Sequence, residues 1–288
     1  MDLGIGLPST IPTATGRDVL DWANAADAAG FASVGTLDRV VYGNHETIPI
    51  LAAAAAVTSR ARLTTAVLLG PFRGNGALLA KQLATVDSLS NGRLTVGIAV
   101  GARQDDFQVT GSDYARRGAV FDGQLAEFRD VWSVAARGVE DAIGPAPVQP
   151  GGPPILIGGM GAPAIRRAVQ YGAGWIAGGG RPSIFAGGAE KVRRGWTEAG
   201  REGSPRLASL AYFALGPDAD ALAEGYLRHY YGFAGEYADT VVAGALTSES
   251  ALRDTLDQFE QAGCGELVLF PCAPDLDQLH RLAELTLG

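Results

Sequence analysis

The stretch 63–101 constrains the fold of this chain more than any other. Residues 63–69, Leu-Thr-Thr-Ala-Val-Leu-Leu, make a short apolar, β-branched run that halts at Gly70-Pro71, the pattern of a strand buried on both faces. Over 77–90 the apolar residues Leu79, Leu83 and Val86 recur at i, i+4 and i+7, and Asn91-Gly92 supplies a left-handed stop, so this stretch reads as a helix. A second apolar run, 94–100, again ends on glycine, at Gly101. Parallel strands joined by a helical crossover form a right-handed βαβ unit, with both glycines at the carboxyl end of the sheet.

The same rhythm runs through the rest of the chain. Strands are predicted at 3–7, 33–36, 155–157, 174–177, 207–213 and 266–270. Helices are predicted at 17–29, 48–57, around Phe121, Leu125, Phe128 and Trp132, at 163–171, 184–199 and 275–285, with helical segments between 218 and 262. The Pro- and Gly-rich stretch 144–154 is a loop and no domain boundary, because the pattern resumes directly after it. About eight strands alternating with about eight helices predict a single (β/α)8 TIM barrel over 1–288. A doubly wound sheet is the alternative, but the first strand and helix lack a Gly-x-Gly-x-x-Gly turn, since Gly4 and Gly6 lie inside the strand. Gly30, Gly92, Gly172 and Gly263 precede strands as helix stops, whereas Gly70, Gly101, Gly158 and Gly178 follow strands and so mark the catalytic face.

At 288 residues, 47% hydrophobic and 19% charged, the chain can bury a large core. A net charge of -8 without a basic run argues against nucleic acid and acidic membrane surfaces as partners. The first residues carry no basic, apolar leader and no run reaches the length of a membrane span, so a cytoplasmic protein is expected. Cys264 and Cys272 are read as packing residues, and no metal-ligand spacing is present.

Candidate chemistry sits after the strands. Gly158-Gly159-Met160-Gly161 follows a strand and opens a helix, which suits a phosphate, or is a plain tight turn. Asp38, Arg39, His45 and Glu46 share one loop, either an active-site loop with His45 as acid–base group or a solvated charged loop. Arg103, Asp105 and Asp106 follow the fourth strand and carry the same two readings, while His229 and His280 fall on helices and are expected to be inert.

Several of these segments resemble one family. Leu79-Ala80-Lys81-Gln82, the run 87–94 (Asp-Ser-Leu-Ser-Asn-Gly-Arg-Leu), Val96-Gly97 and Gly101 are similar to the luciferase-like flavin-dependent oxidoreductases, as are Ala28-Ala29-Gly30-Phe31, Arg60-Ala61-Arg62-Leu63, Arg117-Gly118 with Phe121-Asp122, and Gly172-Ala173-Gly174-Trp175. The resemblance is strong over 1–185 and thin beyond. It implies a TIM barrel holding a flavin-type ring over the carboxyl ends of the strands, with the cofactor phosphate at Gly159-Met160-Gly161 beside Gly158. On the ring side it implies Asp38, Thr65, Ala66 and Val67, with a cis peptide at Ala66-Val67. Asp106 falls at the position of an active-site aspartate. The chain departs from the family pattern in having Arg39 where many members carry histidine, Met160 where a hydroxyl residue is common, and Ala173 where an acid is frequent. Arg39 thereby becomes an electrostatic candidate, permanently cationic and unable to act as a base.

The implied function is a monooxygenase using reduced FMN and oxygen on a small organic substrate, served by a separate flavin reductase. Its alternatives are hydride transfer with the deazaflavin coenzyme F420, and a barrel that binds or catalyses without a redox cofactor. A homodimer through the helices at 48–57 and 78–89 is expected, because the first is apolar nearly all round.

Overall fold

The structure, a computed structural model, describes residues 1–138 and 140–288. Eight parallel strands, β1 (Asp2–Gly6), β2 (Ser33–Thr36), β3 (Arg62–Leu69), β4 (Leu94–Ala99), β5 (Ile155–Gly158), β6 (Gly174–Ile176), β7 (Arg206–Phe213) and β8 (Glu266–Pro271), pair in chain order, and β8 pairs with β1 to close the barrel. The register Gly4↔Ser33 and Leu3↔Leu267 sets β1 between its neighbours. Seven of the connections carry the expected outer helices, α1 (Gly16–Ala29), α2 (Thr47–Val57), α3 (Gly76–Leu89), then α5 (Arg117–Ala136) preceded by the short α4 (Gln104–Val109), α6 (Ala162–Tyr171), α7 (Pro182–Glu198), and finally α10 (Glu249–Gln261) preceded by α8 (Ala219–Tyr231) and α9 (Glu236–Val242). The closing helix is α11 (Leu276–Thr286).

Local chemistry places these ends. Thr15 and Asp18 form a reciprocal capping box at the start of α1, and Gly30, at φ 110°, ends it in the left-handed region. Asn91 and Gly92 have φ of 54° and 79°, which is the expected left-handed stop after α3. Gly172 ends α6, as expected of a helix stop, but not in the left-handed region. Its φ is -82°, so it is a glycine for want of space: a Cβ there would lie 2.8 Å from the Ala168 carbonyl oxygen.

The barrel interior is filled by matching a large ring to bare backbone. Phe270 lies against β1, where a Cβ on Gly6 would come within 2.1 Å of its ring, and its far edge reaches the corresponding position on Gly35 of β2 at 3.3 Å. At the opposite, amino end, Ser33 donates to buried Glu266, which also pairs with Arg62. Leu79, Leu83 and Val86 turn inward from α3 and are buried, each contributing about 1.5–3 kcal/mol. Among the described residues no helix is long and apolar enough to cross a membrane.

Candidate active site

The carboxyl ends of β3, β4 and β5 form one wall of the mouth. The Ala66-Val67 peptide is cis, as the resemblance implies, and the β3/β4 register shifts between Thr65 and Leu68. The Thr65 hydroxyl donates to the Gly97 carbonyl at 2.6 Å, and a Cβ on Gly97 would sit 2.1 Å from the Thr65 carbonyl, so only glycine fits opposite β3 here. Val67 reaches across β4 to β5, where its Cγ1 lies 3.1 Å from the position a Cβ would take on Gly158. The structure therefore brings Val67 and Gly158 together; Thr65 and Ala66 lie beneath them, buried, and Val67 is half-buried at the surface of the mouth.

Beyond Gly158 the backbone is bare. Gly159 has φ 117°, Gly159 through Gly161 are exposed, and Gly161 caps α6 with no side-chain hydrogen bond. Among the described residues no acceptor pairs with the N–H groups of Gly159, Met160 or Gly161, while the Gly159 carbonyl is pinned by the indole N–H of Trp175 at 2.7 Å. Free N–H groups at the positive end of a helix favour an anion, and the donors here are all backbone.

Asp38 is no solvated loop residue. Its buried carboxylate accepts from the Leu69 N–H at 2.8 Å, from Arg73 at 2.9 and 3.0 Å, and from the Thr47 hydroxyl at 3.2 Å, tying the end of β2 to the end of β3. Burial opposes the charge of Arg73, but Asp38 and Glu46 outweigh it and hold the guanidinium above its usual range. Arg73 was not legible as a partner, since only the fold brings it beside Asp38.

Asp106 is likewise buried, and the expectation of a wet charged loop after β4 gives way to α4. One carboxylate oxygen accepts the N–H groups of Val40 and Val41, at 3.1 and 2.8 Å, and the other accepts Arg103 Nε–H at 3.2 Å. These three hydrogen bonds fasten the β2 loop to α4. His45 stands apart from both. Its N–H donates to the Ser9 carbonyl at 3.0 Å and its ring lies 3.7 Å from the Cβ position of Gly16, so it packs on the β1 loop and the start of α1.

The mouth is covered by the segment between β7 and α10, whose aromatic residues carried no recognised sequence signal beyond their clustering. Tyr226 bonds Thr10 at 2.7 Å, Tyr231 bonds Tyr212 at 2.7 Å, and Tyr237 donates to the Gly179 carbonyl at 2.8 Å. Burial pushes the phenols of Tyr212, Tyr226, Tyr230 and Tyr231 above their ordinary value, so all four stay protonated at neutral pH. Arg39 sits beneath this cover: Nη1 donates to the Tyr230 carbonyl at 2.6 Å, and its guanidinium carbon is 4.1 Å from the centre of the Tyr42 ring. His229, expected to be inert, accepts from or donates to the Tyr42 hydroxyl through Nδ1 at 2.6 Å. Among the described residues no group of three or more His, Cys, Asp or Glu is placed to hold a metal.

A closed parallel barrel with free N–H groups in the turn after β5, a Val67–Gly158 wall and a covered mouth is the architecture of the barrel enzymes whose sites lie at the carboxyl face. A family model described as luciferase-like monooxygenase matches residues 1–263, and the chain belongs to that family of oxidoreductases. An uncharacterised protein of Mycobacterium tuberculosis is 31% identical over 212 residues, covering 62% of this chain and 71% of that protein. The FMNH2-dependent dimethylsulfone monooxygenase of Pseudomonas fluorescens is 36% identical over 122 residues, 38% of this chain and 32% of that enzyme. In fold, the chain superposes on an F420-dependent secondary alcohol dehydrogenase with a TM-score of 0.83 at 19% identity, covering 99% of this chain and 97% of that one.

Proposed function

We propose that this protein is a monooxygenase that takes up reduced FMN at the barrel mouth and uses oxygen on a small organic substrate, the reduced cofactor arriving from a separate flavin reductase. The observation that carries this reading is that neither Arg39 nor Asp106, the two charged candidates of the mouth, stands ready as a free base. Arg39 stands where many family members carry histidine and holds its charge at any physiological pH, and Asp106 is engaged by Val40, Val41 and Arg103. Taking a hydride from an alcohol requires a base for the hydroxyl proton, whereas oxygen chemistry draws its electrons from the reduced cofactor and profits from a fixed positive charge. The groups present suit a flavin mononucleotide: the Gly159–Gly161 N–H groups for its phosphate, and Val67 and Gly158 as a flat support for its ring.

Hydride transfer with coenzyme F420 is the second reading, supported by the Tyr42–His229 pair beside Arg39, which offers a proton route. Titration with oxidised FMN, reduced FMN and F420, followed by fluorescence and calorimetry, separates the two. Reduced FMN is expected to bind well below the millimolar range, and Gly161→Asp to weaken it about tenfold or more, because it sets a carboxylate beside the phosphate. Binding of F420 alone transfers the assignment to the second reading. Binding of none leaves a barrel without redox chemistry.

A further inference from the structure

We propose that Arg39 and Arg103 form an oxyanion subsite under Phe233, which selects organic substrates bearing a carboxylate or a similar oxyanion. The inference rests on the mouth being the substrate site, as in the reading above. Both guanidinium groups lie against one ring, with their central carbons 5.4 and 4.3 Å from the centre of Phe233. They come from different loops, after β2 and after β4, so the fold alone pairs them. Among the described residues no carboxylate approaches Arg39 within 4.0 Å, and its Nε–H is buried without an acceptor. Arg103 is bound to Asp105 and Asp106, yet its buried Nη1 is also without an acceptor, and only 7% of its side chain is exposed.

Two guanidinium groups against one ring, each with an idle buried N–H group, are costly on their own even though Arg103 is paired with carboxylates, because an unpaired buried donor forfeits its hydration. An oxyanion between them answers both deficits. Burial first, and then the neighbouring charge of Arg103, lower the pKa of Arg39, while the charge of Asp106 acts in the opposite direction. The simplest competing role for Arg39 is as a cap for the carboxyl end of α8 through the Tyr230 carbonyl. That role employs Nη1 and leaves Nε of Arg39 and Nη1 of Arg103 unexplained. The surroundings also fit an organic body: Phe233, Val40 and Val41 are 49%, 40% and 40% exposed beside the two cations. Phe233 lies in the short turn Gly232–Ala234, followed by Gly235 at φ 56°, so the ring covering the charges is carried by a segment outside the regular helices.

The test uses the full chain without cofactor, so that a failure of FMN binding and a failure of this subsite are read separately. Benzoate, phenyl phosphate and the neutral benzamide are titrated by calorimetry at low and high salt. Benzoate or phenyl phosphate is expected to bind about tenfold or more tighter than benzamide, with the preference shrinking as salt rises. Whichever anion binds tighter identifies the oxyanion as carboxylate or phosphate monoester. Arg39→Gln should erase the preference while leaving benzamide unchanged, and Arg39→Lys should restore part of it; a mere cap would lower Tm without altering the anion-to-neutral ratio. Equal binding of benzoate and benzamide to the unaltered protein overturns the proposal. So does an anion preference that survives Arg39→Gln and disappears in Gly161→Asp, which places the anion at the β5 turn. Should Arg39→Gln not fold, the Arg39→Lys ratio decides: no change from the unaltered protein at any salt counts against the subsite.

Discussion

Asp27, in the last turn of α1, accepts the N–H groups of Ser59, Arg60 and Ala61 at 2.9, 3.0 and 2.6 Å, and so holds the turn that leads into β3. Burial alone would raise its pKa, but the N–H groups of Ala61, Ser59 and Arg60 outweigh it and hold the carboxyl at about 2. A carboxyl depressed on folding stabilises the protein above its unfolded pKa, and that contribution is lost as pH falls through the folded value. Because the group is only partly buried, solvent screening discounts the effect to about 1 kcal/mol. Asp27→Asn is expected to unfold at lower urea concentration than the parent at pH 7, with the gap closing between about pH 4 and pH 2. Urea melts across that range check it, and a gap independent of pH would show that packing, not charge, is what Asp27 provides. The partners of Asp106 were likewise out of sight in the sequence. A carboxylate after a barrel strand is a natural catalytic candidate, and nothing in its neighbours along the chain reveals that Val40 and Val41, more than sixty residues earlier, donate to it.

Among the elements, the segment α8–α9 differs most from a plain barrel. It lies over the mouth, attached to the β1 loop by Tyr226, to β7 by Tyr231 and to the β6 loop by Tyr237. Of these the Tyr237 bond is at the surface, where the ring is 45% exposed. Tyr237→Phe deletes one hydrogen bond and little else, worth about 1 kcal/mol, so α9 amides should exchange with deuterium about fivefold faster while global stability barely moves. Hydrogen exchange by mass spectrometry reads this directly; unchanged exchange in α9 would mean that the cover is held by packing alone. The existence of helices between 218 and 262 was legible from their periodicity. Their placement across the mouth was not, because contacts such as Tyr237 to Gly179 join parts of the chain 58 residues apart.

For the whole molecule, the apolar α2 is less bare than its composition implies, since Ile48, Ile50, Leu51, Ala54 and Ala55 are buried within the single chain. What remains outward is Pro49, Ala56 and Val57 on α2, with Leu78 and Leu89, 53% and 58% exposed, on the adjacent α3. We propose that two chains associate through this surface. Light scattering at micromolar concentration is expected to give the mass of a dimer, and Leu78→Glu with Leu89→Glu to return the monomer, since each buries a charge in the contact. A monomeric parent protein would remove the proposal.

Repeated apolar runs ending on glycine determine an alternating parallel α/β fold by themselves, because a strand buried on both faces and a crossover helix leave a chain of this length few ways to cover its apolar surface. Closure into a barrel is seen in the pairing of β8 with β1. The βαβ unit at 63–101, the left-handed stop at Asn91-Gly92 and the bare turn at Gly158–Gly161 are local chemistry, readable over a few residues. The partners of Asp38, Arg39 and Asp106 were decided only in three dimensions. Each of these charged groups is held by partners from elsewhere in the chain, and burial turns a charge that water would screen into one that must be matched.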